Sequence, residues 1–170
     1  NIIEFILPNE VDWEIAASAK YQDIQLYGLT FNDETYSANF VDKYNYTVSV
    51  GNGQINCNYA NIASCFNGPL KIGSFNGDSP EFQESISPSG LYDCSGNVYE
   101  WVRKSDLINH NQEEQREILR GGSYSSNANE SSNTSFIYEY PEIDHNSFGF
   151  RTIIYADEYL EFLRSTYDQK

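Results

Sequence analysis

The sequence predicts a single loop-rich α+β domain with few helices and short antiparallel strands. Three observations predict it. One capped, helix-compatible run stands near the start (Pro8 to Ala17), the other apolar runs are only a few residues long and are bounded by Gly, Asn and Ser, and 170 residues can bury one sizeable core. With 39% hydrophobic and 15% aromatic residues the chain is globular, and tyrosine and phenylalanine supply its bulk. No internal repeat is visible. The Asn/Ser-rich middle is not a simple linker, because aromatic residues interrupt it throughout.

Taken in order, the elements follow from punctuation and period. Asn9, after Pro8, can cap a helix, with Asp12 three residues on; Val11, Ile15 and Ala16 then fall on one side and Trp13 toward the flank. From Tyr21 to Phe75 the chain reads as structured loop, except for the alternation Tyr46 to Val50 ending in Gly51-Asn52-Gly53, a hairpin signal. Pro80 to Ser89 is a loop. Glu117 to Leu119 and Phe148 to Tyr155 are apolar enough for strands. In Glu158 to Tyr167 the pattern of Tyr159, Leu160, Phe162 and Leu163 suits a short C-terminal helix. Residues 1–155 thus form the domain and 156–170 a helical tail that docks on the domain or on a neighbouring subunit.

Charge narrows the partners. Ten Lys and Arg against 25 Asp and Glu give a formal net charge of −15, which argues against nucleic acid and anionic membrane surfaces. No apolar run is long enough to span a bilayer, and the start Asn1 to Leu7 is too short and unflanked for a signal peptide. Because Asn1 is not an initiator residue, we expect a processed or partial chain.

Gly90 to Trp101, GLYDCSGNVYEW, is the most informative stretch. Asp93, Gly96 and Asn97 supply turn chemistry, while Val98, Tyr99 and Trp101 want burial, so polar atoms sit against a core. Such a loop can aim backbone carbonyls and the Glu100 carboxylate at one point, an all-oxygen arrangement suited to calcium. The alternative is a glycine turn with Glu100 solvated or salt-bridged. Cys57 and Cys65 flank a short loop that a disulfide can close in an oxidising compartment; the alternative is two thiols. Cys94 reads as a buried inert thiol. His110 and His145 belong to no metal-binding spacing and read as solvent-facing.

GLYDCSGNVYEW, the Arg120-Gly121-Gly122-Ser123-Tyr124 block, Gly149-Phe150-Arg151 and the upstream Leu7-Pro8-Asn9-Glu10-Val11-Asp12-Trp13-Glu14-Ile15-Ala16-Ala17, in that register, resemble the signature of the formylglycine-generating enzyme, or sulfatase-modifying factor, family. The resemblance runs from about Leu7 to Ile154 and leaves out the first part of a usual family domain. It implies an irregular C-type lectin-like fold. It also identifies Leu70 to Phe75 with a family strand. Two calcium positions carry over: Ser95, Gly96 and Val98 carbonyls with the Glu100 side chain, and Asn61 with Ile62, for which Asn39-Phe40 is a competitor and a later Asp ligand has no counterpart. Catalytic family members hold copper with two cysteine thiolates, whose positions fall here on Ser126 and Ser131. Hard hydroxyls do not replace the soft sulfur that holds Cu(I), so no copper and no oxidase activity are expected.

In such folds the stretch from the Gly-Gly-Ser turn to the Gly-Phe-Arg strand forms the exposed face. Here it is rich in Asn, Ser and Tyr, residues that give adaptable hydrogen bonds and rigid amphipathic contact, with Tyr124, Asn127, Asn129, Tyr138, Tyr140, Asp144 and His145 as its candidate contacts. Retroelement-diversified ligand-binding proteins vary this same region, although an AT-rich genome yields a similar composition. The expected function is a non-catalytic domain that recognises a protein or glycan receptor, extracellular on a cell surface or virion. The alternatives are a structural or decoration module contacting other subunits of a virion or surface assembly, and a divergent formylglycine-generating oxidase. Asn45, Asn129 and Asn133 begin glycosylation sequons.

Overall fold

The computed structural model describes residues 4–18, 55–87, 89–106, 108–110, 115–157 and 159–161. The hairpin signal at Tyr46 to Gly53, the Asn39-Phe40 competitor and the Asn45 sequon lie outside the described residues, as does the tail from 162 onward. Helix α1 spans Glu10–Ser18, and four short strands follow: β1 Tyr99–Val102, β2 Glu117–Arg120, β3 Phe136–Glu139 and β4 Phe148–Gly149. They form one sheet in the order β3-β2-β1-β4.

The helix starts where its cap is. Asn9 Oδ1 accepts from the backbone N–H of Val11 (3.0 Å) and Asp12 (2.9 Å), and Asn9 Nδ2 donates to Asp12 Oδ2 (2.7 Å), so two orphan donors of the first turn are satisfied. Asn9→Ala should lower stability by about 1 kcal/mol, read as a shift in the urea midpoint; a change indistinguishable from zero would mean that tertiary packing alone sets the helix start. Beyond the cap the buried stripe differs from the sequence expectation. Trp13 is central rather than flanking, at 2% exposure, with Ala17 and Val11 beside it, while Ile15 and Ala16 are only half-buried. The face toward the sheet is Glu10, Trp13, Glu14 and Ala17, spaced as one helical stripe, and two of those four are carboxylates.

β1 pairs antiparallel with β2, placing Glu100 opposite Arg120 and Val102 opposite Ile118, and β2 pairs antiparallel with β3, placing Ile118 opposite Tyr138. One sheet face therefore carries Val102, Ile118 and Tyr138, and it closes on Trp13, Ala17 and Cys94 to form the core. The other face carries Tyr99, Trp101, Glu117, Leu119, Ile137 and Glu139. β4 departs from the antiparallel expectation: it runs parallel to β1, Tyr99 opposite Phe148. The chain leaves β3 at one sheet edge and reaches the other edge before pairing, and such a crossover permits a parallel partner. Of the strand expected over Phe148 to Tyr155, only Phe148–Gly149 joins the sheet; Ile153 instead bridges Ile6.

Leu70 to Phe75 is a turn-containing loop rather than a strand. Gly73 is left-handed (φ 73°) and its N–H donates to the Asp93 carboxylate at 2.7 Å, so its donor is taken away from any ladder. The Pro80 to Ser89 loop is seated by a second cluster in which the Phe75 ring packs edge-on against Phe82 (5.0 Å) and Phe66 (6.4 Å). Helical backbone begins at Ala156, with Tyr159 N–H donating to Tyr155 O (3.1 Å). Among the described residues no helix is long and apolar enough to cross a membrane.

Candidate functional site

The signature loop is built so tightly that only glycine fits at Gly96. Its φ is 77°, and a Cβ there would lie 2.4 Å from Asn61 O and 2.6 Å from Ile62 Cγ2. This close approach joins the loop to the Cys57–Cys65 segment. Asn97 N–H donates to Asn61 O (2.8 Å), and Asn61 Nδ2 donates to Asn97 Oδ1 (3.1 Å) and Gly68 O (2.9 Å). Cys57 and Cys65 are joined by a disulfide with Cα atoms 5.9 Å apart. Cys94 is buried at 1% exposure, and that burial pushes its thiol pKa up to about 12, so it stays protonated and unreactive.

Glu100 follows the loop on β1, and its carboxylate is salt-bridged rather than solvated. Oε2 accepts from Trp13 Nε1 (2.6 Å) and from Arg151 Nε, and Oε1 accepts from Arg151 Nη2, a bidentate ion pair. Burial opposes the charge on Arg151, but the hydrogen bonds and charge of Glu100 outweigh it and raise the guanidinium pKa. A calcium ion placed on Glu100 with the Ser95, Gly96 and Val98 carbonyls would meet that guanidinium, so this donor set does not fit a cation while the pair is closed. Asn61 and Ile62 fit better in one respect: Asn61 Oδ1 is fully buried with no hydrogen-bond partner. Their backbone carbonyls already accept from Asn97 and Cys65, however, and no cluster of three or more His, Cys, Asp or Glu stands among the described residues to neutralise a divalent ion.

Ser126 and Ser131, on which the family resemblance places the thiolate positions, are both buried. Ser126 Oγ donates to Tyr99 OH (3.1 Å) and accepts from Ser123 N–H (3.0 Å). Ser131 Oγ has no hydrogen-bond partner and lies against Gly122, where a Cβ would come within 2.4 Å of it.

The seven candidate contact residues do not share one face. Tyr124 OH donates to Asn146 Oδ1 (3.2 Å), and the neighbouring His145 Nδ1 engages Ser147 Oγ (2.6 Å) while its ring packs on Phe148, 5.2 Å away. Asn127 caps its own turn, accepting from Asn129 and Glu130 N–H; Asn127, Asn129 and Asp144 are exposed. Tyr140 stands apart, under the guanidinium of Arg116 (5.1 Å). Tyr138 faces inward: it packs on the core, and its hydroxyl meets His110 Nδ1 at 2.8 Å. Alternation along β3 is the reason, since Tyr138 shares the face of Ile118. Asn133 is fully buried, donating to Ala17 O (3.1 Å), so that sequon cannot be glycosylated in the folded chain.

His110 is not solvent-facing. Its Nε2 lies 2.6 Å from Glu10 Oε1, which also accepts from Ser105 N–H, making a partly buried Glu10–His110–Tyr138 chain of contacts from α1 to β3. Beside it Glu14 pairs with Arg120, whose guanidinium lies over the Trp13 ring at 5.6 Å. Burial holds the Glu14 carboxyl above its usual range, with Arg120 pulling it back. Sequence spacing could not reveal the ion pairs, because Glu10 and His110 stand 100 residues apart and Glu14 and Arg120 stand 106 apart.

Comparison with known proteins agrees with this geometry. The sulfatase-modifying factor enzyme 1-like domain matches residues 3–156. The chain belongs to the sulfatase-modifying factor family. Among solved structures, this family member is similar to Treponema denticola variable protein 1 (23% identity, TM-score 0.57, covering 89% of this chain and 48% of that one), to CarF (23%, 0.53, 87% and 46%) and to PvdO from Pseudomonas aeruginosa (18%, 0.56, 89% and 53%). These likenesses carry the fold, an α+β, loop-rich architecture with few helices, and the chain spans about half the length of each neighbour. No curated protein sequence matched it.

Proposed function

We propose that this sulfatase-modifying factor domain is non-catalytic and recognises a protein or glycan, displayed outside the cell on a cell surface or virion. The observation that carries the reading is the serine pair. The family's copper chemistry needs two thiolates, and this chain has three cysteines in all, two joined in a disulfide and the third buried and protonated. Ser126 is instead bonded into Ser123 and Tyr99, where it stiffens the turn that presents Tyr124. The proposed recognition surface comprises Tyr124, Asn127, Asn129, Asp144 and His145; Tyr138, packed on the core, and Tyr140, beyond the end of β3 and next to Pro141, lie outside it. Bound calcium is part of this proposal only as an ion near Asn61, where the orphaned side-chain oxygen supports it.

Two measurements test this reading. Incubation of a cysteine-containing peptide with copper and the protein is expected to give no aldehyde product; turnover would overturn the non-catalytic reading. Binding on a glycan array is expected to fall at least about tenfold in Tyr124→Ala and His145→Ala with an unchanged urea midpoint. Equal binding by these variants would remove the assigned face. A role as an assembly module is supported by the exposed Tyr155, Tyr159 and Leu160 at the start of the tail. Loss of self-association, with ligand binding intact, on replacing Tyr159 and Leu160 by serine would favour it.

A further inference from the structure

A cavity of about 450 Å³ opens where β1 ends and β2 begins, away from the Tyr124 surface. Trp101 and Phe150, with Pro141, give it apolar walls, and Arg103, Lys104 and Glu117 give it charge. This volume lies in the range of sites for small ring-sized ligands. The Trp101 ring is fixed by an edge-on contact with Phe148 at 5.6 Å, whereas Phe150 is 67% exposed, an aromatic surface left in water beside the cavity. Arg103 is also positioned in advance. Its Nε donates to Leu7 O (2.8 Å) and its Nη2 to Tyr155 OH (3.3 Å), so neutral acceptors orient it; it exerts its charge on Asp12, which is itself held by Asn9. In a chain of net charge −15 a guanidinium so fixed at a concave aromatic wall is a local exception to the field.

We propose that this cavity binds a sugar acid. The apolar face of the pyranose ring lies on Trp101 and Phe150, its carboxylate pairs with Arg103, and a ring hydroxyl donates to Glu117. Each wall thereby takes the part of the ligand that matches it: aromatic surface takes C–H groups, the guanidinium fork takes a carboxylate and the carboxylate takes a hydroxyl donor. An anion without hydroxyls would leave Glu117 unmatched, and a neutral sugar would leave Arg103 unmatched. The site is independent of the Tyr124 surface and does not rest on the non-catalytic reading.

The test is a titration of the intact protein with glucuronate, glucose and benzoate by calorimetry and by tryptophan fluorescence. Of the two tryptophans, Trp13 is sealed beneath the sheet, so a ligand-linked signal reports Trp101. We expect saturable glucuronate binding near the millimolar range, at least about tenfold weaker binding of glucose and benzoate, and loss of the preference over glucose in Arg103→Gln. Phe150→Ala, at an exposed position, should weaken both sugars at an unchanged urea midpoint. The Tyr124→Ala variant should bind glucuronate as the parent does, which separates this site from the proposed recognition surface. No saturation by glucuronate at about 10 mM, equal binding of glucose, tighter binding of benzoate, or an unchanged preference in an Arg103→Gln protein of normal urea midpoint each overturns the proposal.

Discussion

Replacing Arg151 with methionine will lower the stability of the domain by about 3–5 kcal/mol, the cost of leaving a buried carboxylate without its cation. Arg151 supplies two of the three side-chain donors on Glu100, and its Nη2 also donates to Tyr92 O at 3.2 Å. The variant keeps the Trp13 indole contact but strips the charge that justified burying Glu100 at 6% exposure. Because Trp13 lies on α1, Glu100 on β1, Tyr92 in the signature loop and Arg151 beyond β4, the loss loosens four segments together. Removing both charges in Arg151→Met/Glu100→Gln should recover part of the loss, since the double variant buries no unpaired ion. A urea midpoint within about 1 kcal/mol of the parent for Arg151→Met alone would show that Glu100 finds water or another donor.

The same variant has a defined pH signature. Burial holds the Asp93 carboxyl above its usual range, while the Gly73 N–H and Arg151 pull it back. A carboxyl whose folded pKa exceeds its unfolded pKa takes up a proton on folding. Its burden on stability is therefore present above the folded pKa and vanishes as pH falls below the unfolded one. Without Arg151 that burden grows, so the gap between variant and parent should narrow as urea melts are moved from pH 7 toward pH 4. A gap that widens in acid would assign the loss to something other than the buried carboxylates.

What could be read from the sequence divides along physical lines. Local chemistry was legible: Asn9 with Asp12 announced the helix start, and Glu117 to Leu119 announced a strand that extends one residue further to Arg120. The buried stripe of α1 was not: the pattern points to Val11, Ile15 and Ala16, whereas Glu10 and Glu14 are brought inward by His110 and Arg120, contributed from about a hundred residues away. Glu100 admitted two readings for the same reason, and the Arg151 partner 51 residues on selects the ion pair. Composition makes the stretch from Tyr124 to Phe148 look like one surface, yet β3 runs through its middle. A strand sends alternate residues to opposite sides, so Tyr138 goes to the core while Tyr124 and His145 stay at the exposed end. Cys57 and Cys65 had two open readings, and the chain path that closes their loop is set by contacts with Asn97, which spacing alone does not reveal.

Replacing Cys57 and Cys65 with serine will lower stability by about 2–3 kcal/mol, the entropy expected for closing so short a loop. The larger consequence is local. Inside the loop Ala63 and Ser64 are both left-handed, at φ 51° and 56°, a conformation that costs a non-glycine residue roughly 1–2 kcal/mol. Holding them there aims two consecutive N–H groups at the next segment: Ala63 donates to Ser126 O (2.8 Å) and Ser64 to Tyr124 O (2.7 Å). The cross-link thereby fixes the backbone beneath the proposed recognition surface, and these two residues are the first to relax when it is cut. Hydrogen exchange at the Ala63 and Ser64 amides should accelerate in the serine variant, or on reduction, well before the sheet amides of Ile118 and Leu119 change. Glycine at 63 and 64 relieves the left-handed penalty at two exposed side chains, so adding Ala63→Gly and Ser64→Gly to the serine variant should restore about 1 kcal/mol and part of the protection. Retained protection without the disulfide would show that Asn61 and Asn97 suffice to hold the loop, and the compartment's redox state would then have no bearing on the Tyr124 surface.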